Sequence, residues 1–408
     1  MEAKTLTIDH PTPDSLIATW RRETPGCAHV NHLNNAGSAL PPEPVLRASI
    51  DHLNLEAAIG GYEAADRVAE KIAAVYESVA ALLRTRPANV AVTGNGTAGF
   101  IQALSSFDLK RGDVIVTSRS DYTSNQIQYL ALAERLGVRL VHAADKPEGG
   151  VDPQAIREIL GSTSARFVAV SWIPTHSGLV QDVVEVGKVC EAFGVPCIVD
   201  AIQAAGQIPI DVNQLHCDYL VGTARKFLRG PRGIGFLYAS DRALDRGDYP
   251  LFVDMRGARW TAPARFEIAP TARRFEDWEF PYALVVGMGA AVDYALRHGV
   301  AECGQRAFAL ARRLRAGLEG IDGVQVLDRG PNRCAIVTAM VRGWTGDEVK
   351  RDLAAKGINI VSTLQEFAQH DFAPRGVESG VRISPHYYNT AEEVDAALDE
   401  VRRIARSR

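Results

Sequence analysis

Between residues 90 and 240 this chain alternates short, almost wholly apolar runs with longer stretches of helical periodicity, and that alternation decides what it can fold into. Strands are predicted over 90–93, 114–117, 138–141, 167–171, 196–200, 219–222 and 235–238. Helices are predicted over 97–106, 124–136, 152–160 and 183–193. Strands with no polar face survive only when both faces are covered, and helices lying between them supply the cover. The expected fold class is therefore α/β, with a large domain built on a mainly parallel, seven-stranded sheet. In such sheets ligands bind beyond the carboxyl ends of the strands. After about residue 260 the pattern changes to helices over 282–297, 307–318, 346–356 and 390–404 with strands over 324–327 and 335–341, a smaller C-terminal α/β domain. Helices over 42–55 and 64–83, separated by Gly60, Gly61 and Tyr62, precede the alternation. The expected division is an N-terminal arm (1–40) joining the small domain, a large domain (41–285) and a small domain (286–408).

Two strand ends carry chemistry. The strand over 196–200 ends in Asp200, and the next ends before a turn holding Lys226 between Arg225 and a run of glycines. A carboxylate at a strand end is often a cap, and a lysine among arginines is often a solvated turn. The two in this order are what a pyridoxal phosphate (PLP) site requires: an amine to form an imine with the cofactor aldehyde, and a carboxylate to keep a proton on its pyridine nitrogen.

A second candidate is the run Gly94 to Gly99, which follows a strand and opens a helix, making an anion site from backbone N–H groups. It fits a phosphate loop and also the literal G-x-G-x-x-G of a dinucleotide site, with Asp121 about twenty residues on. An NAD-binding oxidoreductase therefore stays open as a remote alternative, although it leaves Asp200, Gln203 and Lys226 unexplained. A scaffold protein without catalysis is disfavoured by the presence of both Asp200 and Lys226.

The spacing Asp200-x-x-Gln203 followed by Lys226 resembles the fold-type I PLP enzymes of aminotransferase class V, a group that includes cysteine desulfurases, isopenicillin N epimerase-like proteins and ergothioneine-pathway C–S lyases. The resemblance spans about residues 30–405. It implies that Gly96, Thr97 and Thr223 hold the cofactor phosphate, Gln203 its phenolic oxygen, and Asp200 and Lys226 the ring nitrogen and the aldehyde. Thr123 is nearest to the family's stacking histidine, with Tyr122 beside it as the aromatic in that string. Thr175 matches an asparagine that touches cofactor and substrate, and His176 is a candidate acid/base. Arg382 matches the arginine that binds the substrate α-carboxylate, a task suited to its planar fork. Gly37, Ser38 and Tyr62 are placed along the substrate pocket, and Trp278 is placed at the cofactor from a partner subunit. A homodimer with a shared site follows from the same resemblance.

The resemblance also narrows the reaction. Desulfurases have a histidine before the lysine, where this chain has Arg225, and a loop cysteine before the Arg382 strand, where residues 362–376 contain none. The expected function is C–S β-lysis of an S-substituted cysteine or its sulfoxide, with aminotransferase or epimerase activity as the alternative. The six cysteines have no metal spacing and read as reduced core residues, so no metal is expected. The net charge of −4 suggests no nucleic-acid partner, the first residues have no apolar signal region, and no run is long enough to cross a bilayer, so a cytoplasmic protein acting on a small amino acid is expected.

Overall fold

The computed structural model describes residues 13–408; the first twelve residues of the expected arm lie outside it. The large sheet has seven strands in the order Val90–Thr93, Gly235–Ala239, Tyr219–Thr223, Cys197–Asp200, Ala165–Ser171, Val114–Thr117, Arg139–His142. Gly235–Ala239 runs antiparallel to both its neighbours, and the other six strands share one direction. The period-two alternation of side chains sorts each strand between two cores. Val92, Val116, Val168, Val199 and Leu220 face one cluster, while Ala91, Ile115, Phe167, Ile198 and Val221 face the other. Burial on both faces explains why these strands read as uninterrupted apolar runs.

The smaller sheet, in the order Val324–Val326, Val337–Val341, Ser379–Ile383, Val361–Leu364, is antiparallel throughout. It is covered by Val300–Glu319, Gly346–Ala354 and Ala391–Ala405. The last two of these helices begin with capping boxes, Thr345 with Glu348 and Thr390 with Glu393. One core cluster runs from Val92 and Val199 through to Ile336, Val381 and Val394, so both sheets belong to one packed body. The helix Tyr282–His298 passes through the expected boundary at 285–286 and packs on Glu43–Ile59 and Ala69–Leu83 of the large part. The N-terminal segment joins both parts. Asn31–His32 pairs with Ile358–Asn359, while the amide of Ala39 donates to the carbonyl of Arg225.

Three details depart from the sequence reading. The helix expected over 64–83 is two, Gly61–Arg67 and Ala69–Leu83, broken at Val68. The helix expected to begin at Ala307 begins at Val300, directly after Gly299. An exposed hairpin, Ala258–Ala262 with Arg265–Ile268, was not expected, although both strands alternate apolar and polar residues; the apolar set, Trp260 and Phe266 among it, faces solvent and not the core.

Candidate active site

Thr93, Thr117, Ser171, Asp200 and Thr223 end strands that run the same way, so they open on one edge of the sheet. A cavity of about 420 Å³ lies there. It is lined by Gly96, Thr97, Tyr122, Thr175, Asp200, Gln203, Thr223 and Lys226, all expected from the sequence. Asn95, Ile173, Ile202, Arg225, Arg232 and Gly233 complete the lining.

One wall is the start of the helix Gly96–Ser105. Asn95 caps it, accepting from the amide of Ala98 at 2.8 Å, which leaves the amides of the first turn facing the cavity end of the helix. The approach is close: a Cβ on Gly96 would stand 2.4 Å from Ile202 Cδ1 and 3.3 Å from the carbonyl of Gly222. Asn95 was not singled out from the sequence, although an asparagine before a glycine-opened helix is a capping signal.

The turn carrying Lys226 is anchored on all sides. Gly230 donates to the carbonyl of Ala224 at 2.7 Å, and His386 Nε2 lies 3.1 Å from the carbonyl of Phe227. Gly206, at φ +94°, lets its backbone pass the Phe227 carbonyl where a Cβ would come within 2.4 Å. Arg229 sits in the left-handed region at φ 62° with its side chain fully buried. Its guanidinium donates to the carbonyl of Leu40 (2.9 Å) and to the hydroxyl of Tyr387 (2.7 Å), and it lies 4.5 Å from the centre of the Tyr388 ring. The His386–Tyr388 string thus holds the lysine turn in place.

Beneath Lys226 lies a carboxylate network that the sequence did not reveal. Asp200 accepts from the amide of Ile202 at 2.9 Å and from Asn125 Nδ2 at 3.0 Å. The same Asn125 nitrogen donates to Asp121 Oδ1 at 3.1 Å, and Ser171 Oγ donates to Asp121 while standing 3.4 Å from Asp200. Burial raises Asp121 to about 6, with Asp200 adding to the rise, and burial raises Asp200 as well. Burial lowers the Lys226 amine, and the charges of Arg225 and Arg382 lower it further. Lys226 Nζ lies 5.9 Å from the centre of the Tyr122 ring.

The remaining expected residues divide. Tyr122 faces the cavity, whereas Thr123 turns away to donate to the carbonyl of Phe367 at 2.8 Å. Arg382 stands behind the lining, its Nη1 donating to the carbonyl of Thr175 at 2.9 Å and its Nη2 lying 3.5 Å from Asn34 Oδ1. Gly37 and Ser38 are not in the lining: the Gly37 carbonyl accepts from Arg225, which is, and the Ser38 carbonyl lies 2.8 Å from His32 Nε2. His176 does not reach the cavity, which corrects its expected role as acid/base. Its buried ring lies 3.4 Å from Asp371 and edge-on to Phe372. Tyr62 and Trp278, 67% and 45% exposed, do not line the cavity formed by this chain. Asp121 does not serve a dinucleotide ribose, because both its oxygens are buried in bonds to Ser171, Asn125, Thr117 and Gln126.

The family profile described as Aminotransferase class-V matches residues 31–397. The chain belongs to aminotransferase class V. A probable cysteine desulfurase of Methanothermobacter thermautotrophicus is 27% identical over 398 residues, covering 94% of this chain and 97% of that one. Among solved structures, the apo cysteine desulfurase of Thermococcus onnurineus NA1 superposes with a TM-score of 0.88 at 24% identity, covering 96% of this chain and 98% of that one. A cystine C-S lyase in complex with cysteine persulfide gives 0.82 at 22% identity, covering 93% and 99%. These neighbours share the fold-type I architecture. The chain is accordingly a PLP-dependent class V enzyme, and the oxidoreductase alternative falls.

The residues present fit that cofactor. Gln203 Oε1 is buried without a hydrogen-bond partner and Arg382 Nε likewise, so each keeps capacity for a ligand. The capped helix start with Thr97 and Thr223 suits a phosphate, and buried Asp200 suits a cationic ring nitrogen.

Proposed function

We propose that this class V enzyme cleaves the C–S bond of an S-substituted cysteine or its sulfoxide by β-elimination. The observation that carries the reading is a lysine–aspartate cavity with no thiol. None of the six cysteines lines it, five are buried elsewhere, and residues 362–376 hold no cysteine to take a sulfur atom. PLP, when bound, withdraws electrons from the substrate Cα and so acidifies its hydrogen. Asp200 holds the proton on the ring nitrogen that makes this withdrawal effective. Arg382, on the central strand Ser379–Ile383, orients the substrate carboxylate. Lys226 accepts the Cα proton, a role favoured by burial and by the charges of Arg225 and Arg382, which lower its basicity and so favour the neutral amine. The C–S pair departs with the sulfur as thiolate or sulfenate, and water completes the conversion of the carbon skeleton to pyruvate and ammonia. Racemisation needs a second proton carrier, and the histidine available for it, His176, is turned to Asp371.

The same reading includes a homodimer. Exposed Ile50, Leu53 and Tyr62 on neighbouring helices, with Leu251, Phe252 and Trp278, form apolar surface of the kind a second copy covers. The test is the visible spectrum and product analysis of the purified protein beside Lys226→Ala. A visible cofactor band in wild type only, with pyruvate and ammonia from S-alkyl cysteines or their sulfoxides, supports the reading. Alanine from cysteine would mean desulfuration, and a keto acid retaining the sulfur substituent would mean transamination; either refutes it.

A further inference from the structure

Beside the cavity runs a stretch of chain to which the reaction assigns no task. Residues 365–378 connect Val361–Leu364 to Ser379–Ile383, the strand that carries Arg382. The connection folds into short helical turns, Gln365–Phe367, Gln369–Phe372 and Ala373–Arg375, and it leaves the small sheet to meet the large one. There it touches the ends of neighbouring strands in turn. The carbonyl of Phe367 accepts from Thr123 Oγ1 at 2.8 Å, just after Val114–Thr117. The ring centre of His370 lies 4.3 Å from that of His142, the last residue of Arg139–His142. Asp371 lies 3.4 Å from His176 Nε2, just after Ala165–Ser171.

The two sides of this connection are attached differently. On the small part, Phe372 is fully buried with Leu327, Ala368 and Val377 in an apolar cluster separate from the main core. Arg375 Nη2 donates to the carbonyl of Leu327 at 3.0 Å, and Arg375 Nη1 donates to both oxygens of Asp371 at 3.0 and 3.1 Å. On the large part the connection is held by the polar and ring contacts with Thr123, His142 and His176. Water can replace a polar contact at modest net cost but not an apolar anchor, so the large-part side is the one that opens first.

His176 is the innermost of these contacts. Its ring is buried and stands edge-on to Phe372, with ring centres 5.5 Å apart. Among the described residues neither ring nitrogen has a hydrogen-bond partner, which leaves the Asp371 carboxylate as the group that holds the ring. The residues next to these contacts belong to the cavity: Thr123 follows Tyr122, His176 follows Thr175, and both Tyr122 and Thr175 line it. The Thr175 turn is tied to the small part through its backbone as well. The Thr175 carbonyl accepts from Arg382 Nη1 at 2.9 Å, and the His176 carbonyl accepts from Thr338 Oγ1 at 2.8 Å. The connection therefore grips two walls of the cavity without lining it.

We infer that residues 365–378 are a strap clasping the Tyr122 and Thr175 walls, that His176 and Asp371 are positioning residues for Thr175, and that the clasp is coupled to binding of the amino acid. A ligand between these walls is held best when both are fixed, so ligand and clasp must favour each other by the same factor. His176 then has a task other than proton transfer, and the cysteine-free segment a task other than carrying sulfur. The inference rests on the cavity taking an amino acid and not on which bond is cleaved.

The test is hydrogen exchange of the peptide covering 365–378, read by mass spectrometry on the holoenzyme with and without 2-aminobutyrate, an amino acid of cysteine's length with no group to expel. Calorimetry gives Kd, and the visible spectrum gives cofactor content. Saturating ligand should slow exchange of this peptide about fivefold or more. His176→Phe keeps a ring against Phe372 and removes the pair, while Asp371→Asn removes the charge. Each should speed exchange and raise Kd about three- to tenfold with the cofactor band at full strength. Because both break one contact, the double variant should be no weaker than the worse single one, whereas Thr123→Val, which opens the other grip, should add to either. Exchange that ignores the ligand, or no binding of the ligand, overturns the strap, and the wild-type comparison stands even where a variant fails to fold. Variants that speed exchange and leave Kd unchanged overturn it too, because the pair would then be structural only. Ligand-dependent protection without pyruvate from S-alkyl cysteines refutes β-elimination and leaves the strap standing. Pyruvate formed while exchange ignores the ligand does the reverse.

Discussion

Removing Asn125 should loosen the floor of the active site in a pH-dependent way. One side-chain nitrogen, 1% exposed as part of its residue, donates to Asp200 at 3.0 Å and to Asp121 at 3.1 Å. A hydrogen bond to a charged group contributes about 1.5–3 kcal/mol; because a single amide makes both contacts, the loss in Asn125→Ala should be about 3 kcal/mol rather than twice that. The sign of the pH dependence follows from the carboxylates. Asp121 is already raised to about 6, and the Asn125 contact holds both it and Asp200 down. Without that contact both rise further. Near pH 5.5 a protonated carboxyl donates in place of the amide, and the penalty is small. Near pH 8 the pair must ionise unassisted, so the native state binds more protons than the unfolded chain and the variant loses stability as pH rises through and above about 6. Asn125→Asp keeps the side-chain volume but substitutes a third acid for the donor, so at pH 8 it should be at least as damaging as alanine, which separates electrostatics from cavity formation. Urea unfolding of the holoenzyme at the two pH values measures the stability, and the visible band after gel filtration measures cofactor retention, which at a given pH should be lower than in wild type because the further-raised carboxyl leaves Asp200 less ionised. A full-strength cofactor band together with wild-type stability of Asn125→Asp at pH 8 would refute the reasoning.

Two further perturbations test the walls of the site. Gly96→Ala places a Cβ 2.4 Å from Ile202 Cδ1, an overpacking of about 1–3 kcal/mol at the phosphate end, so cofactor should be retained poorly, and the second change Ile202→Ala should restore it; a double variant as weak as the single would locate the defect elsewhere. His142 is lowered to about 4 by burial, by His370 whose ring centre lies 4.3 Å away, and by Arg119. Its unfolded form takes up a proton near pH 6.5 and its folded form only near 4, so stability is lost as pH falls through that window. The side chain is half-exposed, so the effect should be about 1 kcal/mol, and His142→Gln, which cannot protonate, should flatten the acid limb of a thermal-stability profile.

What was legible in the sequence and what was not divide along a physical line. The strands announced themselves because burial on both faces leaves no room for polar residues, and Asp200 and Lys226 could be located from their place after strand ends, while Gln203 and Thr223 were placed by the resemblance to class V. Each of these lines the cavity. Arg382 was placed by the same resemblance; it sits on a strand whose neighbours Thr338 and Val361 hold its register, and it stands behind the lining. Trp278 was expected from a second chain that the residues of one chain do not describe, and Tyr62, expected along the substrate pocket, does not line the cavity of this chain. His176 failed because a loop histidine beside a correctly placed Thr175 says nothing of which way its ring turns, and here a carboxylate from the segment Gln369–Phe372 holds it.

The Asp121–Ser171–Asp200 network failed to appear for a deeper reason: its members are assigned by strand order. Cys197–Asp200 lies beside Ala165–Ser171, and that strand lies beside Val114–Thr117, so Ser171 pairs in register with Asp200 and its hydroxyl separates that carboxylate from the one following Thr117. Asn125 reaches Asp200 across 75 residues of sequence for the same reason. Spacing along the chain carries no information on which strands become neighbours, and a carboxylate pair formed this way looks in sequence like two unrelated caps. The order has a chemical consequence as well. It sets a second buried acid next to the one that must stay ionised, so that the donors between them, Ser171 and Asn125, determine how much of the charge on Asp200 survives at neutral pH.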